Sequence, residues 1–194
     1  MNPFDEFLHT AGVLHVAPDG QMRANDVTPR LLLPGSFNPV HRGHWGLAEV
    51  ASELHGVPAT FELSVANVDK PTLTADEIRR RLEQFHDRAS VWLTHAPRFL
   101  DKAALFPGAT FVVGADTALR IVLPRYYDDE AAMLASLRAI RERGCRFLVA
   151  CRTDARGQWL RLADLPIPHE ARELFEEIPP ERFRCDVSST QLRA

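Results

Sequence analysis

The sequence contains very few lysines and has no net positive charge. It contains only two lysines, Lys70 and Lys102, against 21 arginines, and its formal net charge is −3 over 194 residues. Nucleic-acid grooves and anionic membrane surfaces call for the opposite sign, so neither is expected as a partner. We expect small molecules instead, and the charge balance says nothing about the oligomeric state.

Cysteine and long apolar runs are also scarce. The three cysteines include no C-x-x-C pair, which argues against a disulfide framework or a structural zinc site and favours a reducing compartment. No apolar run approaches the roughly 20 residues that a membrane span requires. The acidic start also lacks the charged and apolar regions of a signal peptide. We therefore expect a cytoplasmic protein.

What the sequence does contain is an ordinary globular composition with alternating strand and helix patterns. Apolar residues make up 45% and charged residues 25%, which are average values for a folded domain. The pattern predicts an α/β, Rossmann-like three-layer fold, with helices on both sides of a mainly parallel sheet of about five to six strands. We expect residues 1–30 to form an N-terminal extension that packs on one domain, residues 31–194.

Short apolar runs mark the strands and apolar spacings mark the helices. The predicted strands are Leu31–Leu33, Phe61–Val65, Val91–Leu93, Thr110–Val113 and Arg146–Cys151, with weaker candidates at Trp159–Leu162 and Phe183–Cys185. The predicted helices are Phe4–His9, Arg42–His55, one that begins at the Thr74 capping box, Phe99–Phe106, Asp128–Arg143 and His169–Ile178. A hairpin is expected over Val13–Met22.

The most informative segment, residues 34–44, follows the first strand of the main pattern and leads into a helix. Ligands of parallel sheets bind at the carboxyl ends of the strands. Gly35 and Gly43 allow close approach of the backbone there, and the start of a helix favours an anion. His41 and His44 are three residues apart, so a helical turn would point both rings the same way. The alternatives are a turn with two solvated histidines and a metal-binding pair.

The spacing G-x-F-x-P-x-H-x-G-H resembles the H-x-G-H nucleotidyltransferase superfamily, most closely the nicotinamide and nicotinate mononucleotide adenylyltransferases. The resemblance implies that His41 and His44 are catalytic and that backbone groups of Gly35, Ser36 and Phe37 contact a nucleoside triphosphate. It also implies transfer of AMP from ATP to a small phosphomonoester, with release of pyrophosphate. Mg²⁺ would be held mainly by the triphosphate, with no protein ligand.

Two further motifs occur in the order found in that family. Gly114 and Asp116 end the fourth predicted strand of the main pattern and match a G-x-D motif beside the adenosine. Near the last residue, Ser188, Ser189, Thr190 and Arg193 resemble a motif that binds the β- and γ-phosphates. Arg193 is therefore a third catalytic candidate. We expect this last turn to be mobile without ligand and ordered with ATP, because one isolated helical turn is unstable.

Weaker candidates flank the predicted strand ends. Asn67, Lys70 and Lys102 could contact phosphates, although surface lysines are mostly solvated. Trp92 could stack on a substrate base, although a Trp within an apolar strand is more often a core residue. The stretch 94–102 departs from the pattern that frames the pyridine nucleotide in the bacterial nicotinate enzymes. The resemblance therefore covers the triphosphate side better than the acceptor side.

The leading hypothesis is an adenylyltransferase, and three alternatives stay open. The enzyme could transfer CMP from CTP. It could also use another acceptor such as phosphopantetheine, although relatives with that acceptor usually have Thr in place of His41. In a different class, the protein could be a nucleotide-binding sensor without turnover.

Overall fold

The computed structural model of the chain describes residues 2–10, 12–24, 26–66, 71–153 and 159–184. Its strands are β1 (Val13–Val16), β2 (Met22–Arg23), β3 (Leu31–Pro34), β4 (Thr60–Ser64), β5 (Val91–Thr94), β6 (Thr110–Gly114), β7 (Arg146–Ala150), β8 (Arg152–Thr153), β9 (Trp159–Leu160) and β10 (Phe175–Ile178). Eight of them form one sheet in the order β10-β7-β6-β3-β4-β5-β1-β2. The six strands from β10 to β5 pair in parallel.

Helices cover both faces of this sheet. They are α1 (Pro3–His9), α2 (Arg42–His55), α3 (Ala75–Leu82), α4 (Phe99–Leu105), α5 (Ala115–Ile121) and α6 (Glu130–Glu142). Short 3-10 helices cover Glu83–Phe85, Pro124–Tyr126, Leu162–Asp164 and His169–Leu174. Local sequence explains several boundaries. Thr74 and Glu77 form the expected capping box of α3. Helix α2 ends at His55, and its C-cap Gly56 has a φ of 65°, which suits a residue without a side chain.

Alternation along β3 divides the core into two layers. Leu31 and Leu33 face the cluster that contains α1, α2 and α3, whereas Leu32 faces the cluster that contains α4, α5 and α6. All three leucines are buried, as expected for a parallel strand covered on both faces. The three-layer α/β fold is thus confirmed.

The first described residues extend the sheet rather than standing apart from it. Strand β1 pairs antiparallel with β5, from Val13 opposite Thr94 to Val16 opposite Val91, and β2 adds the last strand. Asn2 caps α1 by accepting a hydrogen bond from the Asp5 amide. With these two strands the sheet has eight members, instead of the five or six that the sequence predicts.

Two expectations near the end of the described chain are wrong. The predicted helix His169–Ile178 is a 3-10 helix up to Leu174 followed by strand β10, because Phe175–Ile178 pairs in parallel with β7. Phe183 and Arg184 are not in a strand, and Cys185 lies outside the described residues. Trp159–Leu160 is a strand, but it pairs with β8 in a separate two-stranded ribbon.

Within the described part of the chain, no helix combines the length and the apolar character needed to cross a membrane.

Candidate active site

A cavity of about 290 Å³ opens at the carboxyl ends of β3, β6 and β7. Strand β3 lies between β4 and β6 in the sheet, so the connections that leave the central strands diverge at this point. Open parallel sheets bind ligands at such a crevice. The lining residues belong to the strand ends, to the first turn of α2 and to the segment after β10: Leu33, Pro34, Gly35, Ser36, His41, Gly43, His44, Leu47, Val112, Val113, Gly114, Asp116, Thr117, Ala150, Cys151, Arg152 and Phe183.

The loop after β3 is shaped by Phe37. The ring of this residue is fully buried against Phe61 and Phe85, and its backbone has the left-handed φ of 45° that a bulky residue rarely adopts. A Cβ atom on Gly35 would lie 2.6 Å from that ring. Gly35 is therefore needed for packing as well as for close approach of a ligand. Phe37 itself is fully buried and is not among the residues that line the cavity.

Side chains from α3 and the 3-10 turn after it hold this loop. The Arg81 guanidinium donates to the Ser36 carbonyl at 2.8 Å. The Gln84 side-chain amide donates to the Phe37 carbonyl at 3.0 Å and accepts from the Val40 amide at 2.8 Å. These bonds fix the backbone on both sides of the strained residue, as strained functional loops require.

His41 and His44 lie at the start of α2, as the spacing predicts. Their rings stack with centroids 3.8 Å apart. The His41 backbone amide donates to Nδ1 of His44 at 3.1 Å, so the ring proton of neutral His44 is on Nε2. Nδ1 of His41 is buried and has no hydrogen-bond partner among the described residues. Gly43 lies between them in the first helical turn, where free amides and the helix dipole favour an anion.

Both histidines are neutral at physiological pH in the free protein. Burial, then the neighbouring His41 and the Arg152 guanidinium, lower the pKa of His44 from 6.5 to about 3. Burial and Arg152 also lower the pKa of His41. A neutral imidazole with its proton on Nε2 donates a hydrogen bond and carries no charge that would bind a ground-state anion strongly. The pair is thus suited to charge that develops during a reaction.

The opposite wall of the cavity contains Gly114, Asp116 and Arg152. A Cβ atom on Gly114 would lie 2.6 Å from Oδ1 of Asp116, so this carboxylate occupies the space that a side chain would take. Nη1 of Arg152 lies 3.4 Å from the same oxygen. Both side chains are partly exposed to the cavity, at 51% for Asp116 and 37% for Arg152. A long, solvent-accessible pair of this kind contributes little to stability and can exchange partners.

Two of the predicted substrate contacts lie elsewhere. Trp92 is a core residue, 2% exposed, and its ring packs against Phe106 and His15. Lys102 is 4% exposed and binds Glu62 inside the protein. Neither residue lines the cavity. Asn67, Lys70, Ser188, Ser189, Thr190 and Arg193 fall outside the described residues, as does the expected ordering of the last turn.

The cavity also includes residues that the sequence analysis did not single out. Arg152, Cys151 and Thr117 come after the ends of β7 and β6, so position after a strand would have been the signal for them. The thiol of Cys151 donates to Oε1 of Glu177 at 3.3 Å, and burial raises its pKa to about 11. This cysteine is therefore a neutral, unreactive part of the wall.

Comparison with known proteins agrees with this architecture. The sequence model described as cytidylyltransferase-like matches residues 32–194, a range that contains the histidine pair and all the described residues that line the cavity. A search of curated proteins finds no match. The chain belongs to the cytidylyltransferase-like family, within the H-x-G-H nucleotidyltransferase superfamily, and is a nucleotidyltransferase.

Proposed function

We propose that this protein transfers AMP from ATP to a small phosphomonoester, namely a nicotinamide or nicotinate mononucleotide, and releases pyrophosphate. The observation that carries the proposal is the neutral, stacked pair His41 and His44 at the start of α2, beside the glycine loop after β3. This arrangement offers aligned donors to phosphoryl oxygens at the switch point of a parallel sheet.

In the proposed reaction, an oxygen of the acceptor phosphate attacks the α-phosphorus of ATP. A new P–O bond forms as the bond from the α-phosphorus to the β-phosphate oxygen breaks, and the electron pair leaves with pyrophosphate. The Nε2–H of His44 donates to the oxygens on which charge grows. No covalent enzyme intermediate is needed, so catalysis consists of positioning and charge stabilisation.

The two walls of the cavity suit the two ends of the nucleotide. The loop at Gly35 and Ser36 and the first turn of α2 face the phosphates. The wall made by Val112, Val113 and Ala150 is apolar, and Asp116 beside it can accept hydrogen bonds from ribose hydroxyls. In this arrangement Arg152 exchanges its long contact with Asp116 for a triphosphate oxygen, a charge-assisted bond of the stronger kind. Ser188, Ser189, Thr190 and Arg193 would complete the phosphate site, and their roles stay predictions.

The donor chemistry of the cavity fits a Mg²⁺ ion that is held chiefly by the triphosphate. Asp116 is the one carboxylate among the described residues that line the cavity, which is too few to hold Mg²⁺ by itself, so the triphosphate oxygens would supply the hard ligands that this ion takes. When bound, the ion would neutralise part of the triphosphate charge. The chain's own residues would orient the nucleotide and supply hydrogen bonds to it.

A pyrophosphate-release assay tests the proposal. ATP and CTP are each paired with a panel of phosphomonoesters: the two pyridine mononucleotides, phosphopantetheine and a simple sugar phosphate. Release with ATP and a pyridine mononucleotide, lost in His44→Ala, is the expected result. The family description makes CTP the second candidate, and release with CTP alone would replace ATP by it. Binding of either nucleotide without release with any acceptor would make the protein a sensor.

A further inference from the structure

A second polar cluster lies beside the cavity, where β4 and β5 end, and it is closed to solvent. Nζ of Lys102 lies 2.7 Å from each carboxylate oxygen of Glu62 and 2.7 Å from the Ala96 carbonyl. The Thr94 hydroxyl donates to Oε1 of Glu62 and accepts from the Ala96 amide. Glu62 and Thr94 are fully buried. We call Glu62, Thr94, Ala96 and Lys102 the buried network.

The buried network fixes the loop after β5. The three protons on Nζ of Lys102 have three acceptors within the network. The Ala96 carbonyl accepts from Lys102, and the Ala96 amide donates to the Thr94 hydroxyl. The same Glu62 accepts a backbone hydrogen bond from Gly35 at 2.9 Å through its carbonyl. Glu62 therefore joins the loop that begins at Gly35 after β3, called here the phosphate loop because the proposed function assigns it to the phosphates, to the loop 95–98 after β5.

Stability alone is a weak explanation for this ion pair. Removing two charges from water is costly, and apolar pairs of similar volume often serve as well or better in a protein interior. Hydrogen bonds of fixed length and direction give what an apolar pair cannot, namely a defined position of the backbone. The Lys102 side chain, together with the His95 ring that lies 3.0 Å from the Phe7 carbonyl, thus specifies where loop 95–98 lies relative to Gly35.

The order of the strands indicates what this loop faces. The apolar wall and Asp116 lie over β6 and β7, on one side of β3, whereas β4 and β5 lie on the other side. In an in-line transfer, the acceptor approaches the α-phosphorus from the face opposite the leaving pyrophosphate. The proposed function places the nucleoside over β6 and β7 and the pyrophosphate at the first turn of α2. This leaves the ends of β4 and β5 as the side from which the acceptor approaches.

We propose that Glu62, Thr94 and Lys102 are positioning residues for the acceptor, an inference that rests on the proposed function. They hold loop 95–98 at a fixed distance from the phosphate loop, so that the phosphomonoester is presented in line with the α-phosphorus. They contact neither substrate. Lys102 acts on the reaction through the Ala96 backbone, not as the phosphate ligand that its sequence position suggested.

The first test uses a pair of substitutions at Thr94. Thr94→Val removes the hydroxyl and leaves the Ala96 amide without its partner, whereas Thr94→Ser keeps the hydroxyl. We expect Thr94→Val to raise KM for the acceptor about tenfold, the effect of one hydrogen bond. Thr94→Ser should restore the wild-type value, and Kd for ATP should change less than about twofold in both. Thr60→Val, at the amino end of β4, is the matched control and should leave both constants unchanged.

The second test removes both charges, because Lys102→Met alone leaves a buried carboxylate and can unfold the chain. In Glu62→Leu/Lys102→Met no buried charge is left unpaired, so the protein is expected to stay folded. Its Tm should fall only slightly, because the Ala96 carbonyl and the Thr94 hydroxyl each lose one partner. We expect kcat/KM for the acceptor to fall about 100-fold, since a displacement near 1 Å can have that effect. Hydrogen exchange in residues 95–98 should become faster.

The outcomes separate this inference from the proposed function. A folded double variant with wild-type acceptor kinetics and unchanged exchange in loop 95–98 would overturn the inference while leaving an active adenylyltransferase. A Thr94→Val variant that lowers Tm but not acceptor affinity would also overturn it. Failure of the wild-type protein to release pyrophosphate with any substrate pair would count against the proposed function and remove the acceptor role. Exchange in loop 95–98, which needs no substrate, would still decide whether the buried network holds that loop.

Discussion

Lys102 and Arg152 are two cations near the same edge of the sheet, and they are used in opposite ways. Lys102 is 4% exposed, and its three protons are taken by Glu62 and Ala96. Arg152 is 37% exposed and, among the described residues, forms one long contact of 3.4 Å with Asp116. A cation whose donors are all satisfied inside the protein fixes geometry, whereas one with donors to spare can serve a ligand.

The difference extends to the residues around each cation. The buried network at Lys102 is complete without a substrate. The cavity beside Arg152 is instead lined by a histidine pair held neutral and by a guanidinium whose one contact among the described residues is long, so hydrogen-bond donors remain for a ligand. Unmet hydrogen-bonding capacity in an otherwise well-packed protein indicates where a polar ligand binds. At this edge of the sheet, the residues around Lys102 hold the backbone in place, whereas the residues around Arg152 are available to bind a ligand.

The sharpest way to break this comparison is to remove each cation in turn. Lys102→Met should lower the free energy of unfolding by about 3–5 kcal/mol, because Glu62 is left as an unpaired buried charge. Arg152→Met should change it by less than about 0.5 kcal/mol, but should raise KM for the nucleotide roughly 10- to 100-fold through loss of a charge-assisted bond. Denaturant unfolding and steady-state pyrophosphate release measure the two effects. Equal destabilisation by both substitutions would erase the distinction.

His44→Ala tests whether the residues that line the cavity stabilise the transition state. We expect kcat to fall by about 10²–10³, or roughly 3–4 kcal/mol, since one preorganised donor is lost. The nucleotide Kd should change much less, because the charge that His44 meets develops mainly in the transition state. His55→Ala, on the same helix and about 16 Å away along its axis, is the control. A wild-type kcat in the His44 variant would refute this role.

Gly35→Ala tests a residue that both lines the cavity and packs against the buried Phe37 ring. The added Cβ would lie 2.6 Å from the Phe37 ring, which is fully buried and cannot move freely. We expect a loss of about 1–3 kcal/mol of stability, the usual effect of overpacking. Gly46→Ala is the matched control, because its Cβ would meet Phe183 at an ordinary 3.5 Å. That helical substitution should be neutral or stabilising, and calorimetric unfolding would distinguish the two glycines.

The pH dependence of stability gives the smallest expected effect. In the unfolded chain the His44 imidazole binds a proton below about pH 6.5, whereas burial lowers its folded pKa to about 3. Between these values the unfolded state binds more protons, so stability decreases as the pH falls, by up to about 1.4 kcal/mol per pH unit. The contribution of His41 has the same sign. Denaturant unfolding between pH 6.5 and 5, compared with His44→Asn, should show a smaller slope in the variant.

Local patterns were enough to predict much of the fold and one side of the site. Helix α2 begins and ends where the spacing of its apolar residues and Gly56 indicate, and the motif at Gly35, His41 and His44 faces a cavity. These features depend on the residues' own spacing. Once β3 is a buried parallel strand, the segment after it must lie at the carboxyl edge of the sheet.

The errors concern features that depend on partners distant in sequence. Phe175–Ile178 could form a helix or a strand, and its pairing with β7 decides. Lys102 became an internal residue because Glu62, 40 residues earlier, lies opposite it. Arg152 was missed although it follows a predicted strand, because its position beside Asp116, 36 residues earlier, exists only in the folded chain.

The central position of β3 also governs when the protein can become active during folding. This strand pairs on one side with Thr60–Glu62 and on the other with Thr110–Phe111. Contacts between residues so far apart form late, because a long loop must close first. The H-x-G-H segment leaves the ribosome before β6 and β7, yet its cavity exists only after these strands have been synthesised and have paired. A truncated or stalled chain that ends before Arg146 therefore carries the signature motif without a pocket in which to use it.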